Sequence, residues 1–290
     1  QSNLIEEEQF KLLLLLQNRK SNKYFTNYLR EDYENESIGR LFARNTVCLQ
    51  RLSRNVRNAL GESIYVDVDM INSNYQILEC LAEQHGIEHR LLKSYNASRE
   101  LQLQKLGNQL GLDRDEMKEL FCMIPCGGNI KTWMSNYNVK HLPDDVFALR
   151  DQIVNIRDFL LDLEKNAKYT LFAKHKKGKD NWNIKGCAFS YLLQDIEHDI
   201  LLCFVERAKR KHKIRPGVLM HDGCMFYSQK YIPDNILRDL EDHVKSSLNY
   251  TIHLKCKPME YDESILGEDA LYEDIGPSAS EVSRSSSTVS

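Results

Sequence analysis

The pattern of hydrophobic and polar positions predicts a strand followed by a helix in the first third of the chain. Residues 63–70 alternate between β-branched and acidic side chains, which is typical of a strand with one buried face. Residues 75–84 have apolar positions at helical spacing, and Gly86 is placed to end that helix. Together, these two segments predict a core strand that leads directly into a buried helix.

The last third of the chain contains a second set of core elements. Residues 187–205 are apolar at helical spacing over a long stretch, which predicts a well-buried helix. Two apolar segments, 217–220 and 224–227, flank His221-Asp222-Gly223 and predict a β-hairpin with a tight turn. A helix is expected over 232–248, followed by a strand over 250–257.

The remaining segments are expected to be mostly helical. Residues 1–38 are predicted as helix, and 39–60 combine a helix-like apolar pattern with five arginines. Residues 87–165 are also predicted as helix, interrupted at Gly107, Gly111, Gly127-Gly128 and Pro143. The predicted fold class is therefore α+β, with an antiparallel sheet, helices on one face and a helical lobe inserted between the strands.

Composition excludes several classes of protein. The 290 residues are 42% hydrophobic and 28% charged, which is typical of a globular protein and excludes a collagen, a coiled-coil rod or a wholly disordered chain. The net charge is −3, so a nucleic-acid partner would have to bind local basic patches. The longest aliphatic run, Leu12–Leu16, is far too short to cross a bilayer, so no membrane partner is expected.

Eight cysteines without a Cys-x-x-Cys pair favour a reducing, intracellular setting, in which cytoplasm, nucleus and a viral replication site are not distinguished. The chain begins with Gln1 rather than Met, which suggests a segment of a longer protein. Residues 263–290 form a Ser-rich tail with too few apolar residues to order itself.

Acidic residues at strand ends are the first candidates for chemistry. Asp67 and Asp69 lie two apart and share one face of their strand, and Asp222 lies at the hairpin tip. Buried carboxylates are costly unless they are neutralised, and a pair of divalent cations does so well. Each residue alone also fits a structural interpretation, in which Asp67 faces solvent and Asp222 makes an Asx turn.

A basic helix face is the second candidate. Arg114 and Lys118 are four positions apart and project from the same side of a helix, so they could bind a triphosphate. Gly127-Gly128 would allow a base or backbone to approach closely where the helix ends. A solvated basic face explains the same residues when they are considered alone.

Taken together, the motifs resemble those of family A DNA polymerases, the polymerase I type. Arg114-x3-Lys118-x7-Cys126-Gly127 resembles the Arg-x3-Lys-x7-Tyr-Gly motif of the family's fingers helix. His221-Asp222 resembles the His-Asp-Glu of its palm hairpin, and Asp69 fits the other metal-binding aspartate. Three further segments appear in family order, namely Gly39-Arg40-Leu41, Leu49-Gln50 with Arg57-Asn-Ala-Leu60, and Ser190 with Gln194. The resemblance covers roughly residues 39–260.

The resemblance implies a right-handed polymerase fold and template-directed extension of a primer 3′-hydroxyl with dNTPs. Asp69 and Asp222, with Asp67 as an additional ligand, would hold two Mg²⁺ ions, for which Mn²⁺ could substitute. Lys118 and Arg114 would bind the triphosphate, and Lys118 is also a candidate acid for the leaving pyrophosphate. Cys122, Cys126, Gly127 and Asn74 would complete the nucleotide site, and the nucleic acid would contact Arg40, Gln50, Arg51, Arg54, Gln194 and His221.

Three departures from the family pattern change the expected properties. Cys126 replaces an aromatic residue, and Gly223 replaces the carboxylate after Asp222. Asn74 occupies the position of the glutamate that blocks a ribose 2′-hydroxyl, so relaxed sugar selection is expected. The alternative is that Tyr75 or Phe121 supplies this gate instead.

The resemblance divides the chain into polymerase subdomains. Residues 1–38 are expected to be a thumb remnant, 39–86 the primer-contact segment and first palm part, 87–180 the fingers, and 181–262 the second palm part. Such a compact form, without an exonuclease or full thumb, resembles the polymerases of viruses and mobile elements, often fused to a helicase or primase region. Two alternatives remain open: a single-subunit RNA polymerase or primase-like enzyme, and a catalytically weak DNA-binding module.

Overall fold

The computed structural model describes residues 28–44, 48–178, 182–228 and 231–261. The first 27 residues of the predicted N-terminal helix and the predicted tail, 263–290, lie outside these ranges. The described chain combines six strands with nine α-helices, so the mixed α and β composition and the antiparallel pairing are as predicted. In these ranges, no helix is both long enough and apolar enough to cross a membrane.

The central sheet has four strands in the order β4-β5-β3-β6, and every pair is antiparallel. The strands are β3 (Tyr65–Met70), β4 (Arg215–Leu219), β5 (Gly223–Tyr227) and β6 (Leu254–Lys257). The predicted strand at 63–70 and the predicted hairpin around Asp222 are confirmed. The predicted final strand is shorter than expected.

The register of this sheet brings distant segments together. Asp69 in β3 pairs with Gly223 in β5, and Asp67 pairs with Lys257 in β6. Val68, between the two aspartates, is fully buried on the opposite face against the helices. The acidic face of β3 is therefore the face that does not form the main helix-packed core.

The described residues form nine α-helices. They are α1 (Arg54–Gly61), α2 (Ser73–Gln84), α3 (Arg90–Leu110), α4 (Arg114–Met123), α5 (Ile130–Asn136), α6 (Asp144–Asp162), α7 (Ala167–Lys177), α8 (Ile184–His212) and α9 (Asp234–Leu248). The 29-residue helix α8 is the central one, because it contacts β2, α2, α7 and α9. The predicted helices at 75–84, 187–205 and 232–248 are confirmed.

One predicted helix break is wrong. Gly107 lies inside α3, which continues to Leu110 and ends at Gly111, a residue with φ of +71°. A Cβ atom at position 107 would come within 2.7 Å of the Leu112 carbonyl oxygen. Gly107 therefore allows the chain after α3 to fold back closely against the helix.

The prediction of helix over residues 28–38 is also wrong. This segment forms a hairpin of β1 (Tyr28–Tyr33) and β2 (Glu36–Ala43), joined at Glu34 and Asn35, which have φ of 49° and 67°. Two successive residues with positive φ form a turn whose twist suits a two-residue hairpin, and Asn is favoured there. The helix-like pattern predicted over 39–60 is confirmed only from Arg54 onward, in α1.

Candidate active site

The sheet brings Asp69 and Asp222 together where β3 ends and β4 turns into β5. Asp69 lies near the end of β3 and is only 6% exposed. Asp222 lies in the turn between β4 and β5, and its carbonyl oxygen accepts a 2.9 Å hydrogen bond from the Met70 backbone NH. Two carboxylates from distant parts of the sequence thus meet at adjacent strand ends.

The charges of this acidic pair affect each other. Burial and then the neighbouring Asp222 carboxylate raise the pKa of Asp69 to about 8, despite the opposing effect of Lys257. Burial also raises the pKa of Asp67, opposed by the positive charges of Lys257 and Arg57. Such a region stabilises a bound cation, because the cation relieves the repulsion between buried carboxylates.

The backbone at Gly223 leaves no room for a side chain. A Cβ atom at this position would come too close to the Val68 carbonyl oxygen and within 2.7 Å of Asp69 Oδ1. The Asp69 carboxylate therefore occupies the space that a side chain at 223 would need.

Sequence reasoning missed a buried ion pair beside the acidic pair. Glu197 in α8 is fully buried, and its Oε2 accepts a 2.6 Å hydrogen bond from Arg40 Nε. The Ser73 hydroxyl at the start of α2 donates to Glu197 Oε1, also at 2.6 Å. An acidic residue in a long helix predicted to be well buried was the signal that could have identified this contact.

The ion pair places the Arg40 charge within electrostatic range of the acidic pair. Burial alone would lower the pKa of the Arg40 guanidinium, but the carboxylate of Glu197 more than offsets this effect, so the pKa is raised, with a further contribution from Asp222. Burial raises the pKa of Glu197, and Arg40 opposes that rise. Arg40 is thus held in a fixed position near Asp222.

His221 is also held near Arg40. Its ring contacts the Phe42 ring with centroids 5.2 Å apart, and its Nδ1 is a buried atom without a hydrogen-bond partner among the described residues. Burial and then the Arg40 charge lower the pKa of His221. The ring is therefore neutral near pH 7 and packs as an aromatic group.

The two predicted triphosphate-binding residues lie on an exposed face of α4. Arg114 donates to Glu100 through Nε at 2.8 Å and through Nη2 at 3.0 Å, and it also contacts Asp115. Lys118 is exposed one turn further along the same helix. The structure shows no contact of Arg114 or Lys118 with Asp69 or Asp222, and Arg114 is instead paired with Glu100 and Asp115.

The end of α4 packs against the start of α8. The Cys126 carbonyl oxygen accepts a 2.9 Å hydrogen bond from Asn183 Nδ2, and Gly127 has a φ of +68°. Burial raises the pKa of the Cys126 thiol, opposed by Ser190 and then by Arg40. Cys126 is therefore close to Arg40, whereas Cys122 is exposed.

Asn74 is more exposed than Tyr75 and Phe121, the two residues considered as an alternative sugar gate. Tyr75 and Phe121 are 3% and 4% exposed, and the Tyr75 hydroxyl donates to the Phe121 carbonyl oxygen at 2.7 Å. Both side chains belong to the core. Asn74 lies half-buried in the first turn of α2, five positions after Asp69.

The residues predicted to contact nucleic acid differ in whether their polar groups are already bound within the protein. The amide of Gln50 accepts from the Ala43 NH and donates to the carbonyl oxygens of Leu41 and Leu219, so it has no free NH group for a nucleic acid. Arg51 donates to the Ala43 carbonyl oxygen while remaining exposed. Gln194 donates to the Ser190 hydroxyl at 2.9 Å, and Arg54 is exposed.

The described residues contain no cluster of three or more His, Cys, Asp or Glu side chains arranged to hold a metal ion. The acidic pair supplies two carboxylates, which fits Mg²⁺, because this ion usually keeps several waters and binds through one or two carboxylates plus substrate phosphates. Asp69 and Asp222 are therefore the residues that could hold a metal.

No family model matches the chain, but individual known proteins are similar to it. Over 239 residues the chain is 27% identical to "Putative helicase V13" of Sputnik virophage, an alignment that covers 82% of this chain and 30% of that protein. The structure is similar to "POL domain of Pol1 from M. smegmatis complex with DNA primer-template and dNTP", with 12% identity, a TM-score of 0.49, and coverage of 80% and 46% of the two chains. Neither similarity is high enough to assign the chain to a family.

Proposed function

We propose that this chain is a DNA-directed DNA polymerase of the family A type, which extends a primer 3′-hydroxyl with dNTPs. The observation that carries the proposal is the acidic pair. Asp69 and Asp222, 153 positions apart, meet at the ends of antiparallel strands in the order that the sequence motifs imply. Two buried carboxylates at strand ends are the protein contribution that two-metal nucleotidyl transfer requires.

The acidic pair would hold Mg²⁺. Bound there, the metal would supply charge stabilisation for the attacking and leaving oxygens. Burial and the neighbouring Asp222 carboxylate raise the pKa of Asp69, because its negative charge is unfavourable there without a nearby positive charge. A bound Mg²⁺ would supply that positive charge. The chain itself positions the two carboxylates through the pairing of β3 with β5.

Arg114 and Lys118 would bind the triphosphate. Arg114 is half exposed, and its contacts with Glu100 and Asp115 are surface ion pairs, which contribute about 0–1 kcal/mol. Replacing these two ion pairs by contacts with a triphosphate therefore costs little free energy. A guanidinium also binds phosphate oxygens bidentately. Because α4 does not contact the acidic pair in this structure, the proposal requires α4 to approach it when nucleotide binds.

Arg40 would contact the primer–template near the reacting end. Its guanidinium lies within range of Asp222, and the ion pair with Glu197 fixes its direction. Exposed Arg51 and Arg54 would bind the phosphate backbone without reading sequence, so their contribution should weaken as salt increases.

The virophage relative supports a role in nucleic-acid metabolism, because its name describes a putative helicase. The chain spans 30% of that protein's length and contains no Gly-x4-Gly-Lys-Ser/Thr phosphate-binding loop. We therefore propose that the present chain supplies polymerase activity to a longer replication protein, and that a helicase or primase region of the same polypeptide is its partner.

Relaxed sugar selection is part of the proposal. Asn74 is smaller than the family's glutamate and neutral, and the alternative gate residues Tyr75 and Phe121 are committed to the core. The polymerase should therefore accept a ribonucleotide more readily than a family member with the glutamate.

The test is extension of a labelled primer on a DNA template with Mg²⁺ and either dNTPs or NTPs. Asp222→Ala and Asp69→Asn should reduce the rate at least about a thousandfold, because loss of a metal ligand removes several kcal/mol of stabilisation. Asp151→Asn is the matched control, since Asp151 is an exposed carboxylate on α6 paired with Arg150.

Each outcome of this test separates the alternatives. Preference for NTPs on the primed template would replace the proposal with an RNA polymerase or primase-like enzyme. DNA binding without extension by the folded wild-type chain would indicate a polymerase-like binding module. Equal primer-extension rates for Asp151→Asn and Asp222→Ala would show that the acidic pair takes no part in catalysis.

A further inference from the structure

Lys257 places a positive charge directly against the acidic pair. It lies in β6, opposite Asp67 in the strand register, and its Nζ forms an ion pair with Asp69 Oδ2. Its side chain is about one third exposed, whereas that of Asp69 is almost completely buried. The ammonium group therefore reaches from the solvent side into the position beside the carboxylate where a cation would bind.

The other charges around the acidic pair do not provide this neutralisation. The electrostatic interaction of Arg57 with Asp67 is stronger than its interaction with Asp69. Its Nη1 atom donates a hydrogen bond to the Leu52 carbonyl oxygen at 3.2 Å. The guanidinium of Arg40 is already paired with Glu197. Lys257 is thus the cation in direct contact with Asp69 among the described residues.

Lys255 provides an internal comparison on the same strand. It pairs in register with Asp69, two positions before Lys257, so both side chains lie on the same face of β6. The structure shows no ion pair between Lys255 and the acidic pair among the described residues, and its charge acts on Glu100 of α3. The two lysines carry the same charge in nearly the same place, and only Lys257 contacts Asp69.

We propose that Lys257 is an internal counter-ion of Asp69 that competes with divalent metal, so that it must release this carboxylate before a metal can bind there. This inference rests on the proposed function only in assigning Asp69 as a metal ligand. A carboxylate oxygen that forms an ion pair with an ammonium group is unavailable to a metal ion at the same position. The proposal predicts weak metal binding to the free protein and a gain when triphosphate adds further oxygen ligands.

The test is Mn²⁺ binding to the full chain without nucleotide or nucleic acid, measured by electron paramagnetic resonance of the free ion. Lys257→Met removes the charge and keeps an unbranched side chain, and should tighten Mn²⁺ binding about tenfold. Lys257→Arg keeps the charge and should bind Mn²⁺ as weakly as wild type. Lys255→Met makes the same change in net charge on the same strand and should change the affinity less than about twofold.

Asp69→Asn shows whether the measured site is the acidic pair, because it should abolish the gain caused by Lys257→Met in the double variant. Thermal unfolding of each variant checks that it is folded. Equal affinities for Lys257→Met and Lys255→Met would overturn the inference, since net charge alone would then explain the change. Weaker binding in Lys257→Met, or a gain that survives Asp69→Asn, would also overturn it. Absence of primer extension, with an Asp69-dependent gain still present, would reject the proposed polymerase and leave the lysine competition intact.

Discussion

Helix α8 carries two buried carboxylates, Asp195 and Glu197, and each binds an arginine from the N-terminal hairpin. Asp195 forms an ion pair with Arg30 of β1, while Glu197 forms one with Arg40 of β2. Both acids lie on the same helix, two positions apart. Their surroundings nevertheless differ in the elements that each carboxylate links.

The donors to Asp195 all come from elements that pack against α8. Its carboxylate also accepts a 2.5 Å hydrogen bond from the Gly39 NH and a 2.8 Å hydrogen bond from the Tyr169 hydroxyl. These donors belong to β2 and α7, so Asp195 fastens the hairpin and α7 to the central helix. Glu197 has fewer donors, and the charge of its arginine also interacts with Asp222. The comparison indicates that Asp195 holds the hairpin and α7 to α8, whereas Glu197 holds Arg40 within electrostatic range of Asp222.

Asp195→Ala should have the largest effect on stability. It leaves the Arg30 charge and the Tyr169 hydroxyl without their partner, and breaking a buried ion pair costs roughly 3–5 kcal/mol. Urea unfolding followed by circular dichroism measures the loss. A change below about 1 kcal/mol would show that this network does not hold the hairpin.

Glu197→Gln should have a smaller effect on stability and a larger one on function. The amide keeps an acceptor for Arg40 or Ser73 but loses the charge, which should cost roughly 1–3 kcal/mol. With Arg40 less firmly directed, we expect KM for primer–template to rise about tenfold while kcat changes less.

Asp195→Asn is the matched control for Glu197→Gln, because it makes the same change of acid to amide two positions away. It should lower stability by a similar amount and leave KM for primer–template near the wild-type value. If both variants raise KM equally, the distinction between the two pairs is lost and Glu197 acts only through general stability.

The stability of the protein should also depend on pH through the acidic pair. Since burial and Asp222 raise the pKa of Asp69 from 3.8 to about 8, its favourable contribution is present below pH 4 and is lost as pH rises toward 8. Asp69→Asn removes this titration. In metal-free buffer, the Tm of the variant relative to wild type should therefore increase between pH 4 and pH 8, and a constant difference would contradict the shift.

Much of the four-stranded sheet and of α8 could be predicted because the sequence signals are local. The strand containing Asp67 and Asp69, the hairpin around Asp222 and the helix now seen as α8 each follow from apolar periodicity and turn residues within one segment. The hairpin of β1 and β2 was not predicted, because its aromatic residues also fit a helical spacing and the decisive signal was the turn at Glu34-Asn35.

The missed site residues depend on contacts between segments. Glu197 could have been singled out as an acid within an apolar helix, but its partners Arg40 and Ser73 lie more than 120 positions away. Lys257 carries no local signal at all, since its contact with Asp69 arises from the register between β3 and β6. Such contacts follow from the tertiary fold rather than from the pattern of any single segment.

The close approach of β3 and β5 at Gly223 limits which substitutions are possible next to Asp69 and Asp222. Restoring the His-Asp-Glu sequence by Gly223→Glu would force the strands apart, because even the first carbon of the new side chain would collide with the Asp69 carboxylate and the Val68 carbonyl. An extra acidic ligand would have to be grafted onto a neighbouring element, such as the start of α2, where a longer side chain could enter from outside the sheet.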